Sequence, residues 1–153
     1  MPHSGHLAEQ PPPPPSSMTM PSQSANAPIP EVPLHVLVLD DDPLLLEVMR
    51  EMLVACGPST VVLETEARNA LQHLDQPMPD VVICDLMMPE MDGIEFLQAA
   101  AAQGYDGKVI LMSALEDGVR EAAGELARAL GLQVVGSFRK PLEQNQLRAA
   151  LAC

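Results

Sequence analysis

The sequence predicts an α/β fold, a doubly wound parallel sheet of five strands with helices on both faces. Three observations carry that reading. Short apolar runs alternate five times with stretches whose apolar residues recur at helical spacing. The runs are nearly continuous in their apolar character, as in strands covered on both faces. Parallel strands also need crossover connections, which the intervening helices supply. The folding part begins at Leu34. Of the 16 prolines, ten fall between Pro2 and Pro33, a stretch that has no Lys, Arg or aromatic residue and includes the run Pro11 to Pro15. Such a stretch cannot bury enough apolar surface to offset chain ordering, so 1–33 is expected to be a disordered Pro-rich tail and 34–153 one domain.

Leu34 to Leu39 (LHVLVL) reads as the first strand, broken by Asp40, Asp41, Asp42 and Pro43. Asp42 followed by Pro43 is a helix start, a capping carboxylate before a proline in the first turn. Leu45, Val48, Met49 and Met52 then recur at helical spacing as far as Gly57. Thr60 to Leu63 is the second strand, and Ala67, Ala70, Leu71 and Leu74 mark a short helix stopped by Pro77 and Pro79. Asp80 to Cys84 (DVVIC) is the third strand. A loop from Leu86 to Gly93 carries the turn signal Asp92-Gly93, after which Ile94, Leu97, Ala100 and Ala101 keep a helical stripe to Gly104. Lys108 to Met112 is the fourth strand. Val119, Ala122, Ala123, Leu126, Ala129 and Leu130 form the expected apolar face of the next helix, with Gly131 as its C-cap. Val134 to Phe138 is the fifth strand, and Leu142 to Leu151 a closing helix.

Composition narrows the function classes. With 21 acidic against 8 basic residues the formal charge is −13, which repels phosphate backbones and anionic lipid, so no direct nucleic acid and no membrane partner is expected. No apolar run approaches the roughly 20 residues of a bilayer span, and MPHSGHLAEQ lacks the features of a signal peptide, which makes a cytoplasmic protein the expectation. Cys56, Cys84 and Cys153 match neither a paired framework nor zinc-site spacing, and Cys84 reads as a small core residue. His35, in the apolar first strand, and His73, on a short helix, read as structural histidines.

In an open doubly wound sheet, ligands bind outside the carboxyl ends of the strands. The residues found there are Asp40 and Asp41 after the first strand, Asp85 after the third, Ser113 after the fourth and Lys140 after the fifth. Taken singly, each has an ordinary role as a cap, a turn residue or a solvated charge. Their convergence on one crevice is chemically coherent. Crowded carboxylates raise one another's pKa unless a cation joins them, and hard oxygen ligands suit Mg²⁺. One carboxylate can then attack a phosphoryl group while Lys and hydroxyl stabilise charge on the transferred oxygens, giving an acyl phosphate.

The segments VLVLDDDP (Val36 to Pro43), PDVVICDLMMPEMDG (Pro79 to Gly93), VILMSA (Val109 to Ala114) and FRKP (Phe138 to Pro141) resemble, in order and spacing, the receiver domain of bacterial two-component response regulators. The resemblance covers Leu34 to Cys153. It implies the flavodoxin-like strand order 2-1-3-4-5. It further implies that Asp85 is the phosphoacceptor, and that Asp40, Asp41, Asp85 and the backbone carbonyl of Met87 hold Mg²⁺. Ser113 would be the switch hydroxyl, Lys140 would contact the phosphoryl group, and Lys140-Pro141 would be cis. The implied partners are a sensor histidine kinase or phosphotransfer protein and a downstream protein target. Such a protein is not an enzyme beyond catalysing its own Asp phosphorylation and dephosphorylation, and with no output segment after the last helix it is expected to act as a stand-alone receiver.

Two departures bear on signalling. Many receivers carry an aromatic residue three places before the Lys, and here that residue is Ser137; Phe138 lies one place later and, as its strand neighbour, faces the opposite side. The positions two after the phosphoacceptor and two after the hydroxyl are Met87 and Leu115, both apolar, so slow self-dephosphorylation is expected. The rival reading is a Mg²⁺-dependent phosphohydrolase of the haloacid-dehalogenase type, with Asp40 as nucleophile in Asp40-x-Asp42. That family needs a further acidic motif after the Lys, where only Pro141 to Cys153 remains.

Overall fold

A computed structural model describes residues 34–57, 59–75 and 77–151; the expectation for 1–33 lies outside the described residues. Among the described residues five strands, β1 (Leu34–Leu39), β2 (Ser59–Glu64), β3 (Val81–Asp85), β4 (Lys108–Ser113) and β5 (Gln133–Arg139), alternate with five helices. The helices are α1 (Pro43–Ala55), α2 (Ala67–Gln72), α3 (Gly93–Ala102), α4 (Asp117–Ala129) and α5 (Gln144–Leu151). All strand pairs are parallel and the order is β2-β1-β3-β4-β5, as the resemblance implies.

The continuous apolar strands are explained by cores on both faces. Leu37, Leu39, Val82, Cys84, Val109 and Leu111 pack on one side with Phe96 and Leu97 of α3 and Ala123 and Ala127 of α4. Val36, Val38, Ile83, Ile110 and Met112 alternate to the other side, against Leu46, Met49 and Leu53 of α1 and Leu147 of α5. Cys84 is fully buried in the first core and its thiol is pushed up by that burial, then by the charges of Asp85, Asp40 and Asp92.

Helix ends follow local chemistry. The Asp42 side chain accepts from the Leu44 N–H and Pro43 sits in the first turn of α1. Asp92 and Glu95 form a reciprocal capping box at α3, a signal present in Asp92-Gly-Ile-Glu95 beyond the turn already read there. Leu130 is the C-cap of α4, and Gly131 is the next residue, with φ 97, the left-handed position that glycine adopts without penalty.

Two helices turn a different face inward than the expected stripes. In α1 the buried residues are Leu46, Met49 and Leu53, while Val48 is exposed, because the run Leu44 to Leu46 lets the stripe begin in any of three phases. In α4 the inward face is Arg120, Ala123, Gly124 and Ala127, and Val119, Leu126 and Leu130 point outward. Small residues let α4 lie close to the sheet. Among the described residues no helix is long and apolar enough to cross a membrane.

Candidate functional site

The carboxyl edge of the sheet gathers the acidic residues. Asp40 follows β1, where its N–H donates to the Glu64 carbonyl of neighbouring β2 (3.1 Å). Asp85 is the last residue of β3, in register with Met112, which places Ser113 one step beyond it on β4. Parallel strands of matched length therefore end together, and side chains from distant sequence meet. Asp40 and Ser113 are fully buried, Asp85 is 1% exposed and Asp41 is exposed. Asp40, Asp41 and Asp85 each offer a carboxylate oxygen within 4.8 Å of the others, a set that can hold a metal ion.

Lys140 closes the site from the end of β5. Its backbone N–H donates to the Ser113 carbonyl (2.9 Å), tying the loop to β4, and the Lys140-Pro141 bond is cis. Its Nζ donates to Asp85 Oδ2 at 2.9 Å and lies 2.7 Å from Asp40 Oδ2. The contact with Asp40 is an ion pair whose angle does not complete a hydrogen bond, so that buried oxygen lacks a hydrogen-bond partner. Asp40 Oδ1 accepts from the Asp42 N–H at 2.9 Å. Burial pushes the Asp40 carboxyl above its ordinary 3.8, and the contacts with Lys140 and the Asp42 N–H offset this only in part. Burial pulls the Lys140 ammonium down, but its close contacts with the carboxylates of Asp40 and Asp85 outweigh that and hold it above 10.5. Three carboxylates against one ammonium leave the pocket short of positive charge. Hard oxygen donors, one of them buried without a hydrogen bond, fit a small divalent cation.

Two loops grip the same centre through backbone groups. The Met87 N–H donates to Asp85 Oδ1 (3.0 Å) and the Leu115 N–H donates to Ser113 Oγ (2.9 Å). The Met87 side chain is 56% exposed. Gly93, at the start of α3, approaches the centre so closely that a Cβ there would stand 2.5 Å from the Asp85 carbonyl oxygen and 2.6 Å from Leu86 Cα. The glycine of Asp92-Gly93 thus serves close backbone packing as well as the turn.

Ser137 and Phe138 point to opposite faces. A bulge in β5 between the Val134 and Gly136 pairings puts Ser137 opposite Leu111, on the α4 side, and Phe138 opposite Met112, on the side of α1 and α5. On the α4 side the nearby polar group is one the sequence reading did not single out. Arg120, buried beneath α4, donates to the Ser137 carbonyl (3.3 Å) and pairs with Asp117, while its Nε and the Ser137 Oγ are buried without partners. A basic residue at Arg120, between the acidic Asp117 and Glu121, was the available signal. His73 pairs with Glu64 at 2.9 Å beside β2, the structural role expected of it.

Comparisons with known proteins place this geometry. The family model described as response regulator receiver domain matches residues 36–152. The chain is 33% identical over 119 residues to the cyclic di-GMP phosphodiesterase RocR of Pseudomonas aeruginosa, covering 77% of this chain and 30% of that protein. It is 33% identical over 120 residues to the response regulator MprA of Mycolicibacterium vanbaalenii, covering 78% of this chain and 49% of that protein. The chain thus spans less than half the length of both these relatives. A response regulator from Colwellia psychrerythraea superposes with a TM-score of 0.67 at 32% identity, covering 78% of this chain and 94% of that one. The chemotaxis protein CheY4 of Vibrio cholerae shares the fold, with a TM-score of 0.68 at 24% identity over 79% of this chain and 98% of that one.

Proposed function

The chain belongs to the response regulator receiver domain family, and from that membership we propose that it is a phosphorylation-activated switch whose phosphoacceptor is Asp85. The observation that carries the proposal is the bridge made by Lys140, 2.9 Å from Asp85 and 2.7 Å from Asp40, at the closed end of an acidic pocket. A carboxylate oxygen of Asp85 attacks the phosphorus of a phosphohistidine on a sensor kinase or phosphotransfer protein. The P–N bond breaks, its electron pair returns to the imidazole, and the product is an acyl phosphate on Asp85.

The residues of this chain orient and neutralise. The Met87 N–H fixes one Asp85 oxygen and leaves the carboxylate little rotational freedom. Lys140, already on the other oxygen, is placed to follow the charge onto the phosphoryl oxygens. Ser113 Oγ can exchange its bond with the Leu115 N–H for one to the phosphoryl group. Asp40, Asp41, Asp85 and the backbone carbonyl of Met87 would hold Mg²⁺, which when bound supplies positive charge to the acidic pocket and the transferred oxygens. A protein partner then reads the altered surface. Nucleic acid is a poor candidate for that role given the net charge of −13. The phosphohydrolase reading draws no support from the comparisons.

The test is labelling with acetyl phosphate. Wild type should take up one phosphoryl group only with Mg²⁺ present, and Asp85→Asn should take up none. Full labelling of Asp85→Asn, or undiminished labelling in chelator, would refute the mechanism; loss on Asp40→Asn alone, with Asp85→Asn still labelled, would transfer the nucleophile to Asp40.

A further inference from the structure

Between the loop that follows β3 and the outward side of α4 lies an open groove of about 530 Å³. Met87, Met88 and Ile94 form one wall, and Leu115, Val119 and Leu126 the other. Met87 is 56%, Val119 49% and Leu126 38% exposed. On α4, Val119, Ala122 and Leu126 recur at i, i+3 and i+7, a stripe about 10 Å long. The core contacts of that helix are made by other residues, Arg120, Ala123, Gly124 and Ala127. The helix therefore carries a second apolar face, which none of the described residues covers.

The edges of the groove select what can cover it. Asp92 is the one charged residue in its lining, and no Lys or Arg is there among the described residues. Glu95 follows Ile94 and Glu125 precedes Leu126, and both are exposed. A step of about 100° per residue puts each carboxylate on the outer rim of its own helix. A second copy of this chain would bring the same acidic rims and a net charge of −13. Residues 1–33 contain no Lys or Arg and ten prolines, so they lack both the charge and the helix-forming composition to match.

We propose that this groove docks a cationic amphipathic helix of a partner protein. Its apolar face lies against the methionine-lined wall, which adapts to varied side chains, and its Lys or Arg flanks stand over Asp92, Glu95 and Glu125. Two hydrogen bonds couple the groove to the site, since the N–H groups of Met87 and Leu115 are held by Asp85 Oδ1 and Ser113 Oγ. A change of acceptor at either position shifts a groove wall. The coupling rests on the Asp85 phosphorylation proposed above; the docking does not.

The experiment uses the full chain and three short fluorescent peptides, read by anisotropy at physiological salt. One is a Leu/Lys peptide with Leu at helical spacing, one a scramble of the same composition, and one has Glu in place of Lys. The first should bind at least about tenfold more tightly than the others. The Val119→Asp, Leu126→Asp pair should remove that preference while Asp85 still labels, and Leu44→Asp, on the exposed face of α1, should leave it unchanged. Should the paired variant misfold, Glu125→Lys gives the same reading through charge, weakening the Leu/Lys peptide by about threefold or more. Equal binding of the scramble, or full binding by the folded variants, would overturn the docking. After labelling is verified by mass, the affinity should change by about threefold or more. Unchanged affinity in labelled protein overturns the coupling, whereas a protein that never labels fails the Asp85 reading instead.

Discussion

Replacing Lys140 with Met keeps most of the side-chain stem and removes the ammonium, so it isolates what that charge does in the acidic pocket. In the wild type Nζ stands 2.7 Å from Asp40 and 2.9 Å from Asp85, whose side chains are 0% and 2% exposed, while the Lys140 side chain is 21% exposed. Breaking a buried pair costs about 3–5 kcal/mol, because the remaining charge is left uncompensated. Water reaches Lys140, and Asp40 can take up a proton in place of the lost cation, which brings the expected cost to roughly 2–3 kcal/mol. In a domain of this size that corresponds to a fall in Tm of roughly 6–15 °C. The effect has a definite pH sign. Burial holds the Asp40 carboxyl above 3.8 in the folded state, so the penalty for charging it is absent below that value and grows as pH rises through the raised one. Moving to acid should therefore shrink the difference between variant and wild type. Millimolar Mg²⁺ should restore much of the loss, since a ligand at a hundred times its Kd contributes about 2.7 kcal/mol. Thermal unfolding followed by circular dichroism, in chelator and in Mg²⁺, measures all of this. A Lys140→Met protein as stable as wild type in chelator at neutral pH would refute the idea that Lys140 compensates the buried carboxylates.

Gly93→Ala places a Cβ 2.5 Å from the Asp85 carbonyl oxygen, against backbone that cannot yield without moving Asp85, the proposed phosphoacceptor; it should cost about 1–3 kcal/mol and slow labelling, and a variant with wild-type Tm and rate would contradict the close approach. The Met87→Asn, Leu115→Glu pair supplies groups that can orient a water in line with the acyl phosphate, so the phosphorylated form should decay about 10 to 100 times faster than in wild type; following its loss after donor removal decides, and equal lifetimes would set the rate elsewhere. Deleting residues 1–33 should leave both Tm and labelling unchanged, and a large drop in melting temperature would show that the domain needs its Pro-rich segment.

The fold was legible because two separate patterns agreed on it. Runs such as LHVLVL and DVVIC read as strands covered on both faces, and the gaps between them held helices long enough for crossovers. Strand ends were legible for the same reason, and they brought Asp40, Asp41, Asp85 and Lys140 together from positions up to 100 residues apart in number. Helix phase was less so. Leu44 to Leu46 offers three equivalent starts for the stripe of α1. In α4 the larger apolar residues lie outward and Ala123, Gly124 and Ala127 inward, because close approach to the sheet favours small side chains there. Hydrophobicity alone ranks Val119 and Leu126 as core. The bulge in β5 had one signal, Gly136, since an isolated glycine within a strand pattern often marks an inserted position, and alternation read from Val134 alone passes over it.

That bulge decides how α4 is joined to the site. With strict alternation from Val134, Phe138 would face α4 and Ser137 would face α5; the extra residue reverses both. The ring of Phe138 consequently packs with the core of α1 and α5, away from the loop that follows Ser113. What faces α4 is a serine and the carbonyl that Arg120 holds at 3.3 Å. Arg120 also pairs with Asp117 in the same first turn, so the helix start is fixed to β5 through a guanidinium. A planar group with several donors can exchange acceptors without leaving its slot, which a ring cannot do. Movement of Ser113 and of the Leu115 N–H bonded to it would thus reach α4 as a shift of a hydrogen-bonded turn. The outward face of that turn carries Val119, and the next turns carry Ala122 and Leu126. Under the proposed switch, Ser137 and the apolar stripe that no described residue covers on α4 would be two sides of one arrangement, in which the helix itself would carry the change to the surface.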